Sequence, residues 1–247
     1  MQCKRLTSPS LTNGAHLAAI IGGFIAKYVG WRWCYWLGAI VFGATWLVNL
    51  FCLPETLYLR SQMPTQFTQP TKQSWMRLLT FRGVRRTRKL HLVDFTHVFS
   101  MLRYPSVLLP VLYYGLSFGF GSVIFAITGA AAFGSTYHFD TVGVGLSIGL
   151  STFIGTLIGE LFAGPVSDRL LYLYQKKHAG DPVPESRLQA MWPGFVLLPA
   201  GVIVEGVCLQ YKTHWTGPVM GIGIASFGLQ IVSTNIFAYV TDVSAEL

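Results

Sequence analysis

Ten Asp and Glu residues are scattered through the 247-residue chain, and the few that fall in or beside apolar stretches carry the chemistry. Glu160 and Glu205 lie inside such stretches, where an ionisable group is expensive and marks a functional site by default. Glu205 reads as a candidate proton-coupling or cation-binding carboxylate; its alternative, near the end of its stretch, is to snorkel or pair locally. Asp168 and Arg169 close the run Gly164-Pro165-Val166-Ser167-Asp168-Arg169, and Asp242 ends the last apolar stretch. In such a run the glycine allows a sharp connection, the aspartate can face a helix N-terminus, and the arginine can pair with an acid on a neighbouring helix. Arg169 is therefore expected to exchange between acids such as Glu160 and Asp242 during gating. The alternative is a static charge that only sets orientation. His16, also in an apolar stretch, reads as packed or hydrogen-bonded rather than as a proton carrier.

Other chemistries find no support. The six histidines, His16, His91, His97, His138, His178 and His214, form no H-x-x-H or H-x-x-x-H pair, and Cys3, Cys34, Cys52 and Cys208 form no C-x-x-C pair. Neither a zinc site, a disulfide framework nor a cofactor is expected. No Ser, Cys or Asp constellation recurs at catalytic spacing, and no G-x-x-x-x-G-K-[ST] loop is present to hold ATP. The expectation is a protein that is not an enzyme.

The elements that position these residues follow from composition. The chain is 52% hydrophobic and 11% charged, with mean hydropathy +0.48, whereas soluble domains carry about 25% charged residues. Six stretches approach the ~20 residues needed to cross ~30 Å of hydrocarbon: Thr12 to Val29, Trp33 to Leu53, Pro105 to Thr128, Val142 to Ala163, Pro193 to Gln210 and Gly217 to Val240. None alternates like a barrel strand, so each is helical, because a backbone in lipid must satisfy its own hydrogen bonds. The fold class is an all-α membrane protein of about six transmembrane helices. Gly143, Gly145, Gly149, Gly155 and Gly159 mark the fourth as a helix that neighbours approach closely. Trp31, Trp33, Tyr35 and Trp36 suit an interfacial aromatic belt.

The net charge is +8, and its placement gives the topology. Nine Lys or Arg lie in Pro54 to Tyr104, four in Gly164 to Trp192, and two at Lys4 and Arg5, leaving Lys27, Arg32 and Lys212 on the other side. This positive-inside bias places both termini and both longer loops in the cytoplasm, and the basic excess needs no nucleic-acid partner. The Arg82 to Lys89 cluster reads as a solvated topology signal, with contact to anionic lipid headgroups as the alternative.

Several patterns resemble one family. Asn13-Gly14-Ala15-His16, Ile21-Gly22-Gly23, Gly30-Trp31-Arg32-Trp33 and Leu53-Pro54-Glu55-Thr56-Leu57-Tyr58 look like the fifth and sixth helices of fungal major facilitator transporters of the drug:proton antiporter type. Gly164 to Arg169 resembles the second copy of that superfamily's G-x-x-x-D-R loop between helices eight and nine. Pro184-Glu185-Ser186-Arg187-Leu188, Met191-Trp192-Pro193-Gly194 and Tyr239-Val240-Thr241-Asp242 fit its ninth and tenth helices.

The resemblance implies residues 1–53 as the end of one half, 54–104 as the basic central loop and 105–247 as the start of the other half, or helices five to ten of twelve. It implies proton-coupled export of a small organic compound such as a drug, toxin or secondary metabolite, from a multi-pass protein of the plasma membrane whose partners are lipid, substrate and protons. Substrate contact is implied for Tyr113, Tyr114, Phe118, Phe120, Gln230, Asn235 and Tyr239. Gly14, Gly22 and Gly23 resemble the antiporter motif, but Ala18-Ala19 stands where that motif has a kinking Gly-Pro. Because two helices of one half and four of the other do not enclose a two-sided cavity, the alternative is a truncated remnant inactive in transport. A six-helix mitochondrial carrier is disfavoured by the absence of P-x-[DE]-x-x-[KR] signatures.

Overall fold

The computed structural model describes residues 4–52, 103–177 and 184–246. The central loop at 54–104 falls outside the described residues except for Arg103 and Tyr104, as do the basic cluster and the Leu53 to Tyr58 pattern. Six helical rods are present among the described residues. α1 runs Lys4–Tyr28 and α2 Trp31–Cys52. α3 runs Pro105–Tyr137, α4 Thr141–Lys177, α5 Trp192–Gln210 and α6 Thr216–Glu246. A 3₁₀ segment, Pro184–Met191, precedes α5.

Among the described residues four helices are long and apolar enough to cross a membrane, those of α3 to α6. α1 contributes a shorter apolar stretch, His16–Tyr28. The chain is a multi-pass integral membrane protein, and its outer surface shows why: Trp31, Trp36, Phe42 and Trp46 on α2, and Leu161, Phe162 and Val196 elsewhere, are exposed, a surface that suits lipid rather than water. The buried residues instead concentrate on α6, from Ile222 through Tyr239, because α3, α4 and α5 all pack against it.

Local chemistry sets the corners. Gly30, between α1 and α2, has φ +110°, a conformation that a side chain would strain. α1 itself runs unbroken through Ala18-Ala19. Between α3 and α4 the chain turns at His138, left-handed at φ 55°, and Asp140 Oδ1 accepts from the Gly143 N–H at 2.8 Å to cap α4.

Four boundaries differ from the sequence expectation: α1 begins at Lys4 rather than Thr12, α6 runs to Glu246 rather than Val240, and α3 and α4 overrun their expected ends. α3 does not end at Thr128 but continues through π-helical turns, Gly119–Val123 and Phe125–Gly129, into Ala130–Tyr137. α4 does not end at Ala163: Gly164 to Arg169 is helix, not a turn. Pro165 removes one backbone donor, yet the extension packs against the 3₁₀ segment and keeps its helical form.

Two ends of the bundle are defined by contacts. At one, the Lys27 ammonium at the end of α1 pairs with Asp140 before α4, and Phe139 meets Trp215, between α5 and α6, at 6.0 Å. At the other, Arg187 of the 3₁₀ segment reaches Asp168 of α4 and Asp242 of α6.

Candidate functional site

α4 presents glycine on two faces. Toward α1, a methyl group on Gly23 would lie 3.0 Å from the Thr141 carbonyl and 3.3 Å from Gly145 Cα. One on Gly149 would lie 2.6 Å from Ile20 Cγ1 and 3.2 Å from the His16 carbonyl. Toward α6, one on Gly159 would lie 2.7 Å from Gln230 Cβ and 3.0 Å from the Phe227 carbonyl. These are backbone approaches that only small residues permit. Of the expected motif glycines, only Gly23 lies in this seam. Gly14 and Gly22 face open space, although the Gly22 carbonyl accepts from Cys34 Sγ of α2 at 3.7 Å.

The seam is fastened at both ends. Thr156 Oγ1 donates to Asn13 Oδ1 at 2.8 Å, and Lys27 Nζ donates to Asp140 Oδ2. The Lys27 ammonium, followed by the Gly143 N–H, holds the Asp140 carboxyl below the usual carboxylate range. A depressed carboxyl contributes stability above its unfolded-state value, about 4, and loses it as pH falls through the lower folded-state value. Acidification below about pH 4, or high salt, is therefore expected to loosen this end. Spin labels at the ends of α1 and α4 should report a widened distance at low pH in the parent chain. In Asp140→Asn the distance should be wide at every pH, and a parent distance that ignores pH would remove the pair's role.

One turn beyond Thr156, Glu160 Oε2 accepts from Gln230 Nε2 at 2.5 Å and from Thr234 Oγ1 at 2.8 Å. Gln230 and Thr234, four residues apart, share one face of α6. Glu160 thus pairs with amide and hydroxyl donors rather than with Arg169, which is exposed and has no ion pair among the described residues.

The arginine between the acids is Arg187. Its Nε donates to Asp242 Oδ2 at 2.8 Å, its Nη1 lies 3.4 Å from Ser167 Oγ, and Asp168 Oδ1 is 3.7 Å away. The sequence expectation set Arg169 between Glu160 and Asp242; of these only Asp242 meets an arginine among the described residues, which is Arg187, and the second acid of the cluster is Asp168, which had been assigned to a helix N-terminus. Along a helix Arg169 points about 100° away from Asp168.

Glu205 is buried rather than snorkelled, and it has no ion pair among the described residues. It is 4% exposed, its backbone N sits against Gly221 across the α5–α6 crossing, and its Oε1 has no partner among the described residues. The expected substrate residues separate. Tyr113 packs on Phe195 at 4.6 Å, and Tyr114 on Phe118 at 6.0 Å and Phe237 at 5.2 Å, over Met191, Val232 and Ile236. Phe120 is exposed, while Asn235 and Tyr239 are buried, Asn235 Nδ2 donating to the Ile231 carbonyl at 2.8 Å. A groove of about 640 Å³ opens elsewhere, between α4 and α6, lined by Leu146, Leu150, Ile154, Met220, Ile224 and Phe227. None of the expected substrate residues lines it.

Residues 11–246 match the family model of the Major Facilitator Superfamily. The chain belongs to that superfamily. Among curated major facilitator proteins it is 33% identical over 229 residues to the MFS-type transporter penM of Penicillium rubens, covering 90% of this chain and 43% of the relative. It is 31% identical over 233 residues to the MFS transporter cpaT of Aspergillus oryzae, covering 91% and 45%. Efflux pump radE of Floropilus chiversii is 25% identical over 251 residues, covering 93% and 43%. The chain spans less than half the length of these three relatives. No solved structure matches it.

Proposed function

We propose that this major facilitator protein takes part in proton-coupled export of a small organic compound, a drug, toxin or secondary metabolite. The observation that carries the proposal is Glu160, a carboxyl inside the α4–α6 contact, one turn from the Asn13–Thr156 bond to α1. In this reading α1 and α2 belong to one half of the transporter and α3 to α6 to the other, with 54–104 between them. The α1–α4 seam is then the contact along which the halves rock in alternating access, and the Arg187–Asp168–Asp242 cluster holds one state. Efflux pumps among the relatives support the direction. The charge bias supports cytoplasmic termini with the Arg187 end inside, and the plasma membrane is the proposed location.

The test is reconstitution into proteoliposomes with an imposed pH gradient, scoring movement of fluorescent organic cations. Saturable, protonophore-sensitive transport is expected, and transport indifferent to the gradient would refute the coupling. A second reading, in which the 247-residue chain alone does not transport, is favoured by its span of less than half of these relatives. Saturable transport by this chain would end it.

A further inference from the structure

Hydrogen bonding around Glu160 is unbalanced. Its Oε2 accepts from Gln230 Nε2 and Thr234 Oγ1, and Gln230 Nε2 also lies 3.3 Å from Thr234 Oγ1. Gln230 is 1% exposed, yet its Oε1 has no partner among the described residues. A buried carbonyl oxygen without a donor is costly. Turning the amide over does not help, because Oε1 would then face a carboxylate oxygen and Nε2 would lose its acceptor.

What is missing beside Gln230 is a donor, and an ionised carboxylate has none to give. A protonated one does. A carboxylic acid and a primary carboxamide can close a ring of two hydrogen bonds, N–H to one acid oxygen and acid O–H to the amide oxygen. Half of that ring is already made.

We propose that Glu160 and Gln230 together form a proton-binding site between α4 and α6. A proton from water adds to Glu160 Oε1, and the new O–H donates to Gln230 Oε1. Glu160 Oε2 continues to accept from Gln230 Nε2 and Thr234 Oγ1, and the site passes from charge −1 to neutral without breaking a hydrogen bond. Glu160 is only half-buried, so the α4–α6 contact does not seal it. The charged groups nearest along α4 and its partners are Asp168, two turns on, with Arg187 and Asp242 beside it. These three are tied to one another. On α1 the facing side chain is the neutral Asn13, bonded to Thr156, and His16 lies against Gly149, three turns the other way. The proton is therefore held by the amide and the hydroxyl rather than by a neighbouring charge. As the coupling proton of an exporter the site rests on the proposed function; as a proton-binding pair it stands on this geometry alone.

The test is an infrared pH titration of the full chain in proteoliposomes, reading the C=O band of protonated carboxyls. A band that grows as pH falls is expected in the parent chain, to be lost in Glu160→Gln and to move to higher frequency in Gln230→Leu, where the amide partner is gone. Gln230→Met, closer in shape, should shift it the same way if the leucine variant fails to fold. Glu205→Gln should leave this band in place. A parent titration with no C=O component missing from Glu160→Gln, or a Glu160 component that keeps its frequency in both Gln230 variants, would overturn the proposal. An intact Glu160 band without transport would sink the proposed function and leave the site; gradient-driven transport without that band would do the reverse.

Discussion

Gly201→Ala is expected to lower the stability of the helix bundle by about 1–3 kcal/mol, the usual cost of overpacking, although it adds a single methyl group. On α5, that methyl would lie 2.6 Å from the Gly221 carbonyl of α6 and 2.7 Å from Ala225 Cα. Both are backbone atoms of the most buried helix, so no side chain can swing aside. Gly194 and Gly228 repeat the arrangement along the same crossing, the first meeting the Gly228 carbonyl and the second the Leu198 backbone. Gly206→Ala, on the same helix, provides the contrast. Open space surrounds Gly206, and removing a helical glycine gains about 0.5–1 kcal/mol. The two substitutions should move the thermal midpoint, read by helical circular dichroism in detergent, in opposite directions. Shifts of the same sign would show that the α5–α6 crossing does not depend on backbone contact.

Arg187→Ala should lower stability by about 1–2 kcal/mol and Arg169→Ala by less than about 0.5 kcal/mol. The first figure lies above the value of an exposed ion pair because Arg187 is itself largely buried, 16% exposed, and holds two acids together. It stays below the 3–5 kcal/mol of a fully buried pair because Asp168 and Asp242 are 44% and 38% exposed. A double-mutant cycle with Asp242→Asn isolates the interaction: coupling of at least about 0.5 kcal/mol is expected for residues in contact. Equal effects at the two arginines would sink the assignment of Arg187 as the bridging residue.

What could be read from the sequence was whatever depends on one helix at a time. The apolar stretches located the six rods, and the glycine spacing from Gly143 to Gly159 marked α4 as the helix that others approach closely. Whatever depends on which residues meet across helices was not visible. The pairing of Glu160 with Gln230 joins positions 70 apart, and nothing in their local surroundings signals it. Arg169 was expected to meet the acids because it closes the Gly164 to Arg169 run, but on a continuous helix it points away from the face that Asp168 presents to Arg187. Glu205 lies close to the end of its helix by count, which suggested snorkelling, and only the α5–α6 crossing shows that the way out is closed. Gly164-Pro165 reads as a helix end because an interior proline costs about 3 kcal/mol; the helix continues because packing of its extension outweighs that cost. The superfamily was legible in short motifs, and of its antiporter glycines only Gly23 meets α4.

The seam between α1 and α4 is a zip with a clasp at each end. Its close contacts run from Gly23 through Ile20 to the His16 carbonyl, four residues from Lys27 and three from Asn13, about 6 Å and 4.5 Å along a helix rising 1.5 Å per residue. The two clasps answer to different conditions: salt weakens the Lys27–Asp140 ion pair and leaves the neutral Asn13–Thr156 hydrogen bond alone, so one end of the zip can be opened while the other stays shut.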